Sequence, residues 1–379
     1  MKSSYKLLGT YIEPANQLND GMEVKELLGI SNQKFFQNSH TNTIDIDLQT
    51  YRIVRTNQFA YNRATTRNGD KISIALRQGN DCIVSPSYRI FRSKDENVLN
   101  SEYLMMWFRR PEFDRYARFK SHGSAHEFFE YDQMCQVELP IPHITKQREI
   151  VKEYNVIQNR IALNQQLIQK LEETAQAIYK QWFVEFEFPN ENGKPHKSNG
   201  GEMIWNEELG KEIPNGWEVD ELQKIILFKN GKSKPTKKGE FPVYGGNGII
   251  EYVDKSNDEN VIAIGRVGAY CGSLYRVLGK CWISDNAISA QSKINANMFS
   301  YYVLNNLNLN ERSEGTGQPL ITQGLLNAIR IIIPSVNATN TFESIAKIIF
   351  KNQDSVINEN QKLSELKDLL LSKLATIEN

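Results

Sequence analysis

The polar side chains of this 379-residue sequence that suit recognition chemistry gather in short runs. In the first half, Asn62, Arg63, Thr65, Thr66, Arg67 and Asn68 follow the apolar Phe59-Ala60-Tyr61, and Lys71, Arg77 and Arg89 extend the footprint. A second loop, bearing Gly123, holds Ser121, His122 and Ser124, with Arg115, Arg118 and Lys120 leading into it. In the second half, Lys229, Lys232, Lys234, Lys237 and Lys238 form a basic run. Tyr244, Asn247, Arg266, Tyr270, Asn286, Thr316 and Gln318 follow it. Arginine pairs with guanine edges and Asn or Gln with adenine edges, whereas lysine mostly neutralises phosphate. Asn62, Arg63, Thr66, Arg67, Asn68, His122, Ser124 and the seven residues from Tyr244 to Gln318 therefore read as base-facing candidates. Lys71, Arg77, Arg89, Arg115, Arg118, Lys120 and the five lysines read as phosphate contacts. For any single arginine, a solvated side chain or a local ion pair is the competing reading; for the lysine run it is a merely solvated loop.

Covalent chemistry finds no support in the residue pattern. A P-loop needs Gly-x-x-x-x-Gly-Lys-Ser/Thr; Gly265, Gly268 and Gly272 surround Arg266, but no Lys-Ser/Thr follows. They read as turn and bulge glycines, with a backbone approach to phosphate as the minor reading. A DNA aminomethyltransferase needs an Asn/Asp-Pro-Pro-aromatic loop, and Ser85-Pro86-Ser87-Tyr88 lacks both the amide and the second proline. Cys82, Cys135, Cys271 and Cys281 have no metal-ligand spacing, so no metal site is expected and the thiols read as reduced core residues. Asp45 and Asp47 alternate with Ile44 and Ile46, which puts acids on the wet face of a strand. No Ser-His-Asp or paired-carboxylate set is suggested, and no cofactor is expected.

Charge is balanced overall, 45 basic against 45 acidic residues, so any electrostatic attraction to a polyanion must be local. Two local patches exist. From Arg52 to Arg92 there are eight Lys or Arg against two acids, and from Lys224 to Glu240 six lysines against one glutamate. No apolar run suits a signal peptide or a membrane span, which reads as a soluble, cytoplasmic protein without membrane partners.

Two long helices must position these loops. Ile150, Tyr154, Ile157, Ile161, Asn164, Ile168, Leu171, Ala175, Ile178 and Trp182 recur at alternating spacings of four and three, the seam of a helix packed on another helix. Neither Pro nor Gly interrupts residues 147–186, a rod of about 60 Å at 1.5 Å per residue. Thr145 is placed to cap it. A second such stretch runs from Phe342 to Ala375, with Val356, Leu363, Leu366, Leu370 and Leu374 on its apolar side. Tyr179, Trp182, Phe183 and Phe186 crowd the end of the first rod and read as a surface for a partner subunit. Asn164 and Asn360 read as register-setting polar residues in an apolar context.

A mixed α/β globule precedes each rod. Short strands are expected at 27–30, 51–54, 81–85 and 88–91, and a helix at 100–110. In the second globule, strands are expected at 241–244, 261–264 and 281–283, with Trp217 an anchor. The organisation expected is a globule over 1–145, a helix over 146–188, a linker over 189–211, a globule over 212–335 and a helix over 340–377. An internal repeat supports it. Gly123 and Pro142 answer Gly315 and Pro334, both 192 positions on. Cys82-Ile83-Val84-Ser85 answers Cys281-Trp282-Ile283-Ser284, Asn62-Arg63 answers Gly265-Arg266, and Asn164-x-x-Leu167 answers Asn360-x-x-Leu363.

These features resemble the specificity subunit of type I restriction-modification systems. The resemblance is carried by Leu171-Glu172-Glu173-Thr174-Ala175-Gln176-Ala177-Ile178-Tyr179-Lys180-Gln181-Trp182-Phe183, by Gly210-Lys211-Glu212-Ile213-Pro214-x-Gly216-Trp217, and by Leu363-x-x-Leu366-x-x-x-Leu370 near the end. It implies an α/β fold of duplicated target-recognition domains separated by two long antiparallel coiled-coil helices. It implies a non-catalytic subunit that reads a bipartite site in double-stranded DNA. Its partners would be two modification subunits, which methylate adenine using S-adenosylmethionine, and restriction subunits that consume ATP. The rival reading is a protein-interaction scaffold without sequence-specific DNA contact.

Overall fold

The structure, a computed structural model, describes residues 5–39, 46–64, 71–121, 127–314 and 319–377. The chain divides into two compact units, Met1–Asn164 with Asn358–Asn379, and Gln165–Ile357. Each unit therefore takes part of both long helices, α4 (Ile144–Tyr179) and α7 (Val336–Lys373), rather than leaving them outside the globules.

In the first unit, an antiparallel sheet is ordered Ile12–Pro14, Tyr88–Ser93, Gln58–Asn62, Ile74–Leu76. Its strands lack the alternation of a half-wet sheet because both faces are covered. Phe59, Tyr61 and Phe91 point one way, with Phe59 and Phe91 stacked at 4.8 Å. Ala60, Ala75 and Ile90 point the other way, onto Val54, Cys82 and Val84. The first face packs on helix α1 (Ser101–Phe108), where Asn100 accepts from the Tyr103 N–H at 3.0 Å as the cap. Helix α2 (Pro111–Lys120) starts on proline, which lacks the N–H a first turn would leave unpaired. A short α3 (Tyr131–Cys135) and the strand Glu138–Pro140 lead into α4.

The second unit repeats the plan. Its sheet is ordered Ile226–Asn230, Ala287–Ser292, Ile262–Gly265, Leu274–Arg276, followed by α5 (Asn297–Asn306), α6 (Gln323–Ala328), the strand Arg330–Ile333 and α7. The starts of α6, of the last strand and of α7 each lie 192 positions after those of α3, Glu138–Pro140 and α4. The offset seen between Gly123 and Gly315 thus spans a whole supersecondary block. The second unit adds a hairpin, Lys238–Gly245 with Gly248–Val253, closed where Gly245 pairs with Gly248. Gly248 takes φ 75, a conformation that favours glycine. Part of the stretch expected as linker is also a hairpin, Met203–Asn206 with Lys211–Pro214, because Asn206 and Gly210 (φ 60) turn the chain.

Several helix details depart from the sequence expectation. Helix α4 starts at Ile144, and the His143 carbonyl accepts from Lys146 and Gln147. Thr145 therefore lies in the first turn and does not cap it. The regular helix ends at Tyr179, short of Phe186. A π-turn over Lys180–Val184 follows, and Phe186 stops it at φ 64. Helix α7 starts earlier than expected, with Ser335 Oγ accepting from Ala338 N–H at 3.3 Å.

Within each unit the two helices run antiparallel. In the first, Tyr154 is buried beside Leu371 and Leu374, Arg160 forks onto Glu359 at 2.8 and 3.1 Å, and Asn164 Nδ2 donates to Asn360 Oδ1 at 2.9 Å. In the second, Gln353 donates to the Ile168 carbonyl and Tyr179 packs on Phe342. On α4, Tyr154, Ile157, Asn164 and Ala175 are buried, and Ile150, Ile161, Ile168, Leu171 and Ile178 half-buried. On α7, Leu363 and Leu370 are half-buried and Leu371 buried, as is Leu374 just beyond its end, but Leu366 is 44% exposed. Among the described residues no helix is long and apolar enough to cross a membrane.

Candidate nucleic-acid interface

Three loops of the second unit meet at one edge through their backbones. Gly265 ends its strand so tightly that a Cβ there would lie 2.3 Å from the Tyr270 carbonyl and 2.8 Å from that of Gly246. Arg266 N–H then donates to the Asn286 carbonyl at 3.0 Å, and the Arg266 carbonyl accepts from Ile321 at 2.9 Å. Ser284 N–H donates to Tyr244, and Lys232 N–H to Ile283. Tyr244, Asn247, Arg266, Tyr270, Asn286 and Lys232 are thereby gathered on one side of the unit. Asn247, Tyr270 and Asn286 are exposed, whereas Tyr244 is half-buried and its phenol pushed up by burial. Arg266 is half-buried, and its Nε has no hydrogen-bond partner among the described residues.

The lysines separate into two groups. Lys234 pairs with Glu251, and Lys237 reaches Asp254 at 3.5 Å. Lys229, Lys232 and Lys238 are exposed, with no ion pair among the described residues. Of the five lysines in the run, these three are left without a carboxylate partner among those residues.

The first unit repeats the same backbone junction. Arg63 leaves its strand as Arg266 does, its carbonyl accepts from Phe129 N–H at 2.8 Å, and Ala64 bridges Phe128. In the second unit the matching bridge joins Val267 and Leu320, 192 positions beyond Phe128. Asn62 Oδ1 accepts from Ala64 N–H at 3.1 Å, holding the turn. The Arg63 guanidinium lies 4.4 Å above the Phe128 ring and 2.6 Å from Glu130, with Arg89 3.9 Å from the other Glu130 oxygen. Thr65, Thr66, Arg67, Asn68, His122, Ser124, Thr316 and Gln318 lie outside the described residues, as do Ile44 and Asp45.

Other candidates go elsewhere. Arg77 is only 11% exposed, paired with Glu26 at 2.7 Å and bonded to the Asn80 carbonyl, so it leaves the set of phosphate contacts. Lys71, Arg115 and Arg118 line one surface depression, although Arg115 is paired with Glu112 and Arg118 with Glu127. Phe119 stands among them, 79% exposed, with Lys120 Nζ 5.7 Å from its ring. An aromatic interleaved with cations (Arg-Phe-Lys) was the available signal for Phe119. Glu130 had none, lying 67 positions from Arg63.

The aromatic end of α4 is also placed differently. Tyr179, Trp182, Phe183 and Phe186 are all buried in the second unit's own core, against Trp217, Phe299, Tyr302 and Phe342. The π-turn adds a residue to the helix just where these rings must face one side. These rings therefore do not form an open surface for a partner subunit. Cys82, Cys271 and Cys281 are buried free thiols, and Cys135 is half-buried. Among the described residues no cluster of His, Cys, Asp or Glu is arranged to hold a metal ion.

The family model for the type I restriction modification DNA specificity domain matches residues 19–173 and again 214–368. The chain is 26% identical over 335 residues to the type I restriction enzyme MjaIX specificity subunit of Methanocaldococcus jannaschii, covering 78% of this chain and 72% of that protein. It is 21% identical over 425 aligned positions to the HindI specificity subunit of Haemophilus influenzae, covering 91% of each. Its fold matches the crystal structure of a type I restriction-modification S subunit from M. genitalium with a TM-score of 0.62, at 17% identity and covering 99% and 96% of the two chains.

Proposed function

This chain belongs to the type I restriction-modification DNA specificity family, and we propose that it reads a split DNA target, half with each unit, on behalf of partner subunits that carry the chemistry. Specificity subunits are the non-catalytic components of such systems. The observation that carries the reading is the repeated junction: each unit presents an arginine, Arg63 or Arg266, at the same backbone position beside the same bridge. Two similar readers on unlike loops suit two unlike half-sites. In this reading Arg266, Asn247 and Asn286 address base edges, and Lys229, Lys232 and Lys238 hold phosphates.

The helices set the gap between half-sites, since both α4 and α7 pass from one unit's residues into the other's. Two modification subunits bring S-adenosylmethionine and methylate adenine, and restriction subunits bring ATP-driven cleavage. No cofactor binds this chain, and the complex works in the cytoplasm on double-stranded DNA. Selection from a random duplex library by the assembled modification complex tests this. Two short blocks at a constant gap should be enriched; a single contiguous block, or none, would sink the reading.

A further inference from the structure

We infer that Glu130 is a positioning residue, holding Arg63 for base reading in the first unit, and that the second unit reads without such a clamp. The inference rests on the proposed reading of DNA by both units. Arg63 is gripped twice, by Glu130 at 2.6 Å and by the Phe128 ring at 4.4 Å from the guanidinium carbon. Glu130 is itself fixed. It precedes α3, its carbonyl accepts from Met134 at 3.2 Å, and its N–H donates to Gln133 Oε1 at 2.9 Å. The pair is still reachable, with Arg63 32% and Glu130 41% exposed in their side chains.

The second unit gives the comparison. The residue 192 positions after Glu130 is Thr322, which caps α6 by accepting from Leu325 N–H at 3.1 Å but carries no charge. Arg266 forms no ion pair among the described residues, and its buried Nε is unpartnered there. The same helix start thus carries a carboxylate in one unit and a hydroxyl in the other. A planar guanidinium held on one edge and one face keeps its remaining donors aimed, which sharpens discrimination by removing rotamer freedom before binding. Arg266 has no carboxylate among the described residues to hold it in that way.

The test transplants one unit's solution into the other. Glu130→Thr keeps a good helix cap and removes the clamp. In the assembled modification complex, binding to a panel of singly substituted targets should show about a 5–10-fold loss of discrimination at one base pair of the first half-site, the scale of one side chain's ordering. The second half-site, the salt dependence and the melting temperature should be little changed. Thr322→Glu should alter selectivity at one base pair of the second half-site only. If Arg63→Ala relaxes a base pair and Glu130→Thr does not, the clamp is overturned while the reading stands. If Arg63→Ala changes no base pair, the clamp has nothing to position and is overturned too. If the wild-type complex shows no preference for a split target, the reading itself fails.

Discussion

Arg266 and Lys232 reach the same edge of the second unit, yet their removal should have different consequences. Arg266→Ala should cost about 1–3 kcal/mol at one base pair and relax specificity there. Lys232→Ala should weaken binding evenly across sequences and lower the salt slope by about one. Equal behaviour in a titration against matched and mismatched duplexes would refute the division of roles. A second residue-scale prediction concerns Lys34, buried with Asp114 at 2.7 Å. Burial lowers the Lys34 pKa and Asp114 partly restores it. Removing the carboxylate leaves a buried charge unpaired, so Asp114→Ala should destabilise by about 3–5 kcal/mol near neutral pH. The variant's lysine holds its proton less well folded than unfolded, so its stability should rise towards alkaline pH. Urea melts at neutral and alkaline pH would show the penalty shrinking; a pH-independent penalty would contradict it. Cys82 and Cys281, matching positions in the two units, have thiols pushed up to about 12 by burial. They should resist alkylation at mildly basic pH until the protein unfolds, as mass spectrometry would report. At this scale the sequence showed residue types but not their neighbours. Nothing near Arg77 marked Glu26 as its partner, 51 positions away.

The elements were more legible, because a four-three spacing sustained from Ile150 to Trp182 suits a packed helix and little else. What the spacing could not show was its local failure. The π-turn after Tyr179 serves the packing of rings from Phe299, Tyr302 and Phe342, which lie far along the chain. Leu366 fits the apolar period as well as Leu371 does, and only the neighbouring helix decides between them. The seam's polar contact, Asn164 to Asn360, fits a register-setting role. If the helices set the gap, inserting seven residues into each should lengthen it by about 10 Å. At about 3.4 Å per base pair that is roughly three more base pairs between half-sites. A selected target with an unchanged gap would show that the helices are not the spacer.

At the scale of the whole chain, duplication was readable from a handful of matches, and the matching starts of α3 and α6, and of α4 and α7, extend it to whole elements. The loops that differ between the units were the least legible, since a reader's sequence reflects its target more than its fold. On the proposed reading, this one chain dictates where its partners act. Single-molecule sequencing of host DNA with and without the gene measures that directly. Loss of N6-methyladenine from one bipartite motif, and from no other, is the expected result. A methylome that is unchanged, while the chain still assembles with active modification subunits, would contradict it.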